Sequence, residues 1–180
     1  MEQGCRRELI ERFRLGQQTA FAEIIEKYKD QVHSLADRLT GWSGCAEDIV
    51  QDVFLAAFAN RKKFRADSSI KTWLFTITAN KCRSLKYRHR LRKKFLETHK
   101  QQCTEESCTE HDGDEHEHVR NAVMKLPDKY RQVVVLKYLN ELDNGQIAEI
   151  LNVSTNAVST RLSRAIKMLK EYLGETKTEL

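Results

Sequence analysis

Apolar residues recur every three or four positions along most of this 180-residue chain, and two-residue alternation is nowhere sustained. The pattern predicts helices and no sheet. Phe21, Ile24, Ile25, Tyr28, Val32, Leu35 and Leu39 mark a long amphipathic helix that Gly41 can end. Ile49, Val53, Phe54, Ala57 and Phe58 mark a second, preceded by Ser43 and by Glu47 and Asp48, which suit a helix N-terminus. A polar interruption at residues 64–69 leads into a third helix. Ser68 or Ser69 can cap it, and Ile70, Trp73, Leu74 and Ile77 face inward. Further on, Leu126-Pro127-Asp128 reads as a stop and restart, followed by a helix carrying Tyr130, Val133, Val134, Leu136, Lys137 and Tyr138.

The most specific pattern lies at residues 143–169. Asp143 and Gln146 have capping-box spacing, and Ile147, Ala148, Ile150 and Leu151 give an inward face. Asn152-Val153-Ser154 reads as a turn in which Val153 plugs the angle and Ser154 caps the next helix. Val158, Leu162, Ile166 and Leu169 then form one apolar stripe, leaving Thr155, Asn156, Ser159, Thr160, Ser163 and Arg164 off it. This is the pattern of a helix-turn-helix, which presents such a face to the major groove of DNA. An ordinary helical hairpin would read the same way from these residues alone.

Charge changes the picture more than composition does. The formal net charge of +5 conceals strong segregation. Residues 61–100 hold 14 basic and 2 acidic side chains, whereas residues 101–118 hold 7 acidic and none basic. A dense basic block points to nucleic acid. Residues 96–118, polar and acidic, bury too little apolar surface to offset ordering entropy and read as a flexible linker. The expected architecture is therefore all-α, with two small helical domains at residues 9–95 and 119–174 joined by that linker. The longest aliphatic run, Val133 to Leu136, is far too short to cross a bilayer. With no signal-peptide core and an odd number of cysteines, five, the expectation is a cytoplasmic protein with reduced thiols.

Taken together, a basic helix, a helix-turn-helix and an acidic connection resemble the extracytoplasmic-function (ECF) group of bacterial RNA polymerase sigma factors. The stretches that carry the resemblance are AEDIVQDVFLAAF at 46–58 and FRADSSIKTWLFTITANKCRS at 64–84. LPDKYRQVVVLKYLNEL at 126–142, IAEIL at 147–151 and VSTNAVSTRLSRA at 153–165 carry it further. The resemblance implies a region 2 helical bundle at residues 9–95 and a region 4 helix-turn-helix at 119–174. It implies no enzymatic activity, no catalytic residue and no cofactor: the polymerase performs the chemistry.

By similarity, Glu47, Asp48, Gln51, Asp52 and Phe54 dock on the clamp helices of the polymerase β′ subunit, the β subunit being a further contact. Phe64, Arg65, Ala66, Asp67 and Ser68 resemble the loop that accepts a base flipped from the −10 element, with Ala66 where the family usually has glycine. The following helix resembles the −10 reader, with Asn80 at a base or sugar and Arg83, Lys86, Arg88 and Arg90 on phosphates. Ser84 replaces an acidic residue common in the family, and Trp73 reads as core. For the −35 element the candidates are Ser154, Thr155, Asn156, Ser159, Thr160, Arg161 and Arg164. Ser159 stands where many relatives carry lysine, and Arg161 can instead brace the domain. The resemblance also implies promoter DNA and an anti-sigma factor as partners.

Three other readings compete. A stand-alone helix-turn-helix regulator explains residues 143–169 but not the two motifs of the first domain. A nucleic-acid-processing enzyme lacks a constellation of catalytic side chains. A metal- or redox-responsive variant would use His99, Cys103, Cys108 and His111, but their spacing lacks the close paired-cysteine knuckle of structural zinc sites, so no metal site is expected.

Overall fold

In a computed structural model of the chain, residues 2–41, 44–64, 69–98 and 115–175 are described, and all regular structure among them is helical. The order is α1 (Glu2–Arg14), α2 (Gln18–Thr40), α3 (Ala46–Ala59), a 3-10 turn (Arg61–Lys63) and α4 (Ile70–Thr98), then α5 (Glu115–Lys125), α6 (Asp128–Val134), α7 (Asn144–Leu151) and α8 (Thr155–Glu175). The chain divides into two compact units, Met1–Tyr87 and Arg88–Leu180, the division falling within α4.

In the first unit α2 buries Ile24, Tyr28, Val32, Leu35 and Leu39, and it ends as its sequence dictates. Gly41 takes the left-handed conformation at φ 93° and returns its N–H to the Asp37 carbonyl. Trp73, half-buried, joins an aromatic cluster in which Phe13 stacks on Phe21 at 5.9 Å and meets Trp73 edge-on at 6.3 Å. Phe13 belongs to α1, a helix the sequence pattern did not single out, and it is fully buried. Residue 43, expected near the start of α3, lies outside the described residues; Cys45 holds the N-cap position without a side-chain hydrogen bond. Of the two serines expected to cap α4, Ser69 does so: its hydroxyl accepts from the Thr72 N–H at 3.0 Å.

Inside α4 the buried positions are Ile70, Thr72, Leu74, Phe75, Thr78, Ala79 and Cys82. Ile77, expected inward, is only half-buried, and Phe75 takes the central place. Thr78 is tolerated there because its hydroxyl donates to the Leu74 carbonyl at 2.8 Å. The expected linker, 96–118, is helical at both ends, through Thr98 of α4 and from Glu115 of α5; residues 99–114 lie outside the described residues.

The second unit is organised around α8, which packs against α5, α6 and α7. Val133, Val134, Val135 and Leu136 are all buried. Four consecutive residues sweep about 300° of a helix, so this segment is packed all round. Here the helix widens into a π turn, Val135–Leu139. Tyr138, expected to pack inward, emerges from it 56% exposed.

A basic residue takes a structural role that periodicity does not reveal. Arg131 is 8% exposed, and its guanidinium donates to the carbonyls of Val123 and Leu126 at 3.3 and 3.0 Å and to that of Met124. It satisfies the carbonyls at the end of α5, where Pro127 stops the chain from continuing the ladder. Arg131→Met keeps the bulk but abandons those carbonyls, and should cost about 2–3 kcal/mol. Thermal or urea unfolding of the second unit checks this against exposed Lys167→Met, which should stay within about 0.5 kcal/mol of the parent.

Candidate nucleic-acid interface

On α3, Glu47, Asp48, Gln51 and Asp52 are exposed, and Leu55 continues their stripe 68% exposed. Asp52 is held by Lys81 of α4 at 3.0 Å. Phe54 does not belong to this surface. It is 5% exposed and meets Phe21 edge-on at 6.4 Å, because its position on α3 turns it toward α2. The apolar side chain on the outer face is Leu55, which sequence reasoning passed over. Its signal was present, since Asp48, Asp52 and Leu55 are spaced i, i+4, i+7.

Phe64 likewise leaves the expected DNA surface. It is 1% exposed and its ring lies 5.1 Å from that of Trp73, closing the core beneath the start of α4. Arg65, Ala66, Asp67 and Ser68 lie outside the described residues. Beyond them, α4 carries Asn80, Arg83, Ser84, Tyr87, Arg88 and Arg90 exposed and Lys86 half-buried. Arg83 donates to the Asn80 side-chain oxygen at 3.1 Å. From residue 69 to 96 the chain has nine basic side chains and no acidic one.

The expected helix-turn-helix is formed by α7 and α8. Asp143 accepts from the Gln146 N–H at 2.8 Å, and Gln146 returns a bond to the Asp143 N–H at 3.1 Å, completing the capping box. Asn152 makes the turn in the left-handed conformation at φ 53°, and Ser154 caps α8 by accepting from the Ala157 N–H at 3.2 Å. Val158, Leu162 and Ala165 are buried, whereas Ile166 and Leu169 are half-buried.

Ser154, Thr155, Asn156, Ser159, Thr160 and Arg164 are exposed on the outer side, with Arg161 half-buried. Two hydroxyls are already committed. Ser159 donates to the Thr155 carbonyl and accepts from Asn144 of α7, both at 3.2 Å, while Thr160 donates to the Asn156 carbonyl at 2.9 Å. A hydrogen bond from Arg164 holds the Tyr130 phenol below its ordinary pKa.

Among the described residues no group of three or more His, Cys, Asp or Glu side chains could hold a metal ion. His99, Cys103, Cys108 and His111 lie outside them. Burial pushes the Cys82 thiol up to about 12, which keeps it protonated and unreactive at neutral pH. No helix among the described residues is long and apolar enough to cross a membrane.

Family models divide the chain along the same lines. Sigma-70 region 2 matches residues 24–93 and Sigma-70, region 4 matches residues 116–169. The ECF RNA polymerase sigma factor SigW of Bacillus subtilis is 33% identical over 92% of this chain and 95% of its own length. The chain belongs to the ECF RNA polymerase sigma factors. RNA polymerase sigma factor CarQ of Myxococcus xanthus is 28% identical over 95% of this sigma factor and 99% of itself. CnrH, solved in complex with the cytosolic domain of CnrY, has a TM-score of 0.69 at 26% identity, covering 94% of this chain and 97% of its own. RpoE of Bartonella quintana, solved with the anti-sigma factor NepR, shares the fold at TM-score 0.71 and 22% identity, covering 86% and 96%.

Adjacent positions on α3 of this sigma factor should respond oppositely to truncation. Phe54→Ala opens the core and should cost about 3–5 kcal/mol, whereas Leu55→Ala should leave stability within about 0.5 kcal/mol. Chemical denaturation of the two variants makes the comparison.

Proposed function

We propose that this sigma factor docks on core RNA polymerase through the outer face of α3, engages the −10 promoter element through α4 and the loop before it, and reads the −35 element with the first turns of α8. The polymerase carries out all bond making; the sigma factor supplies position and recognition. The observation that carries this reading is the opposition of charge within the first unit. The exposed face of α3 is acidic and ends in Leu55, while α4 from Ile70 to Tyr87 carries Lys71, Lys81, Arg83 and Lys86 and no acid. A polyanion is drawn to α4 and repelled by the face of α3, so the two surfaces suit different partners. Carboxylates around an exposed leucine fit a basic protein helix, and cations along α4 fit phosphates.

In this assignment Glu47, Asp48, Gln51 and Asp52 flank Leu55, which takes the apolar part first given to Phe54. Arg65 to Ser68 receive a flipped base, and Asn80, Arg83, Lys86, Arg88 and Arg90 hold the −10 strand. On α8, Ser154 and Thr155 lie at phosphates near the helix N-terminus. Asn156 and Arg164 carry the base contacts, because the hydroxyls of Ser159 and Thr160 are bonded within the protein. The two readers span residues 9–95 and 119–174, tethered through 96–118, so the free protein binds promoter DNA weakly. The likeness to CnrH, solved with the cytosolic domain of CnrY, supports a protein partner of the anti-sigma kind, and the work of a sigma factor suits a cytoplasmic location.

Run-off transcription with purified core polymerase and a library of randomised templates tests the assignment. Added protein should select a defined set of start sites; an unchanged distribution rejects it. Binding to isolated core separates this reading from a stand-alone regulator, and Leu55→Asp should weaken that binding by about tenfold or more without loss of fold. Asn156→Ala should lower initiation on selected templates by roughly 5- to 150-fold while leaving core binding unchanged.

A further inference from the structure

We propose that Tyr87 is a base-stacking residue of the −10 reader, an inference that rests on the promoter-reading assignment above. Neither the resemblance nor the charge pattern called for an aromatic ring at this place. Tyr87 is nonetheless 62% exposed on a helix whose apolar side chains otherwise turn largely inward up to Cys82.

Its position on α4 gives the exposure meaning. Asn80, Arg83, Ser84 and Tyr87 follow one another at i, i+3, i+4 and i+7, so they share a helical face. Tyr87 stands about 140° round the helix from buried Cys82, at 100° per residue. Packing against the core therefore does not claim the ring. Every charged residue along this part of α4 is cationic: Lys81, Arg83, Lys86, Arg88 and Arg90, of which Lys81 pairs with Asp52 at 3.0 Å and Arg90 with Asp128 at 2.5 Å. An aromatic face set among cations is the combination that single-stranded nucleic acid recognises, with the cations tracking phosphates and the ring offering a platform to an unpaired base. A basic partner protein would be repelled from the same face, which favours DNA as the occupant.

Seven residues of helix rise about 10.5 Å, so Tyr87 meets the strand at a different nucleotide from Asn80. Stacking tolerates any base, so Tyr87 contributes to holding the strand open more than to choosing its sequence.

The test uses the full-length protein assembled with core polymerase, on a template chosen by the wild-type holoenzyme. 2-Aminopurine is placed at successive non-template positions across the −10 region, and fluorescence is read as the open complex forms. The wild type should quench one position by stacking, and Tyr87→Phe should preserve both quenching and opening rate. Tyr87→Leu and Tyr87→Ala should lose the quenching there and slow opening about 5- to 100-fold, with core affinity and melting temperature unchanged. Should Tyr87→Leu behave as the wild type, the ring acts only as apolar bulk and the proposal fails. Should Tyr87→Ala lose core affinity in step with opening, the ring faces polymerase and the proposal again fails. A wild-type holoenzyme that selects no template overturns the promoter-reading assignment itself, whereas a competent wild type matched everywhere by Tyr87→Ala overturns the stacking role alone.

Discussion

The burial of one side of α4 is the constraint on which the first unit depends. Leu74, Phe75, Thr78 and Ala79 are fully enclosed, and each large apolar side chain among them is worth about 1.5–3 kcal/mol. Against this stand the like charges of the outer face, whose repulsions amount to a few tenths of a kcal/mol per neighbouring pair on an exposed helix. Packing wins by a wide margin. A helix held so firmly can therefore carry a run of basic side chains that would otherwise disfavour it.

The aromatic cluster explains why that helix has a fixed start. Phe64 lies against Trp73 just before α4 begins, and Trp73 in turn meets Phe13 of α1. Phe64 is held by its buried ring and Ser69 by its cap on α4. The Phe64 ring is enclosed in the core and out of reach of a DNA base.

Local chemistry was the legible part of this sequence. Asp143 and Gln146, Gly41 and Ser69 each solve a problem posed within three or four residues, so spacing alone exposes them. The helices other than α1 and the stripe through Val158 and Leu162 were legible for the same reason. Phe54, Phe64 and Arg131 were not, because their roles depend on which neighbour occupies the adjoining space. Phe54 and Leu55 are consecutive apolar residues, and periodicity narrows the choice of inward face without fixing what meets it. Arg131 looks like a solvated cation until α5 is seen to end against it. Likewise the π turn at Val135–Leu139 shifts the register after an all-buried run, which is why Tyr138 faces outward.

The serine at position 159 shows how one departure from the family pattern reshapes the reading surface. A lysine at this place would extend a cation outward; Ser159 instead donates to the Thr155 carbonyl and accepts from Asn144. The side chain thereby joins the start of α7 to the start of α8 and stiffens the angle between the two helices. Loss of a mobile cation removes sequence-independent attraction to phosphates. Asn156 near the N-terminus and Arg164 two turns on stay exposed beside Ser159. If α8 reads the −35 element as proposed, recognition rests on few side chains, and discrimination falls on geometry more than on total charge.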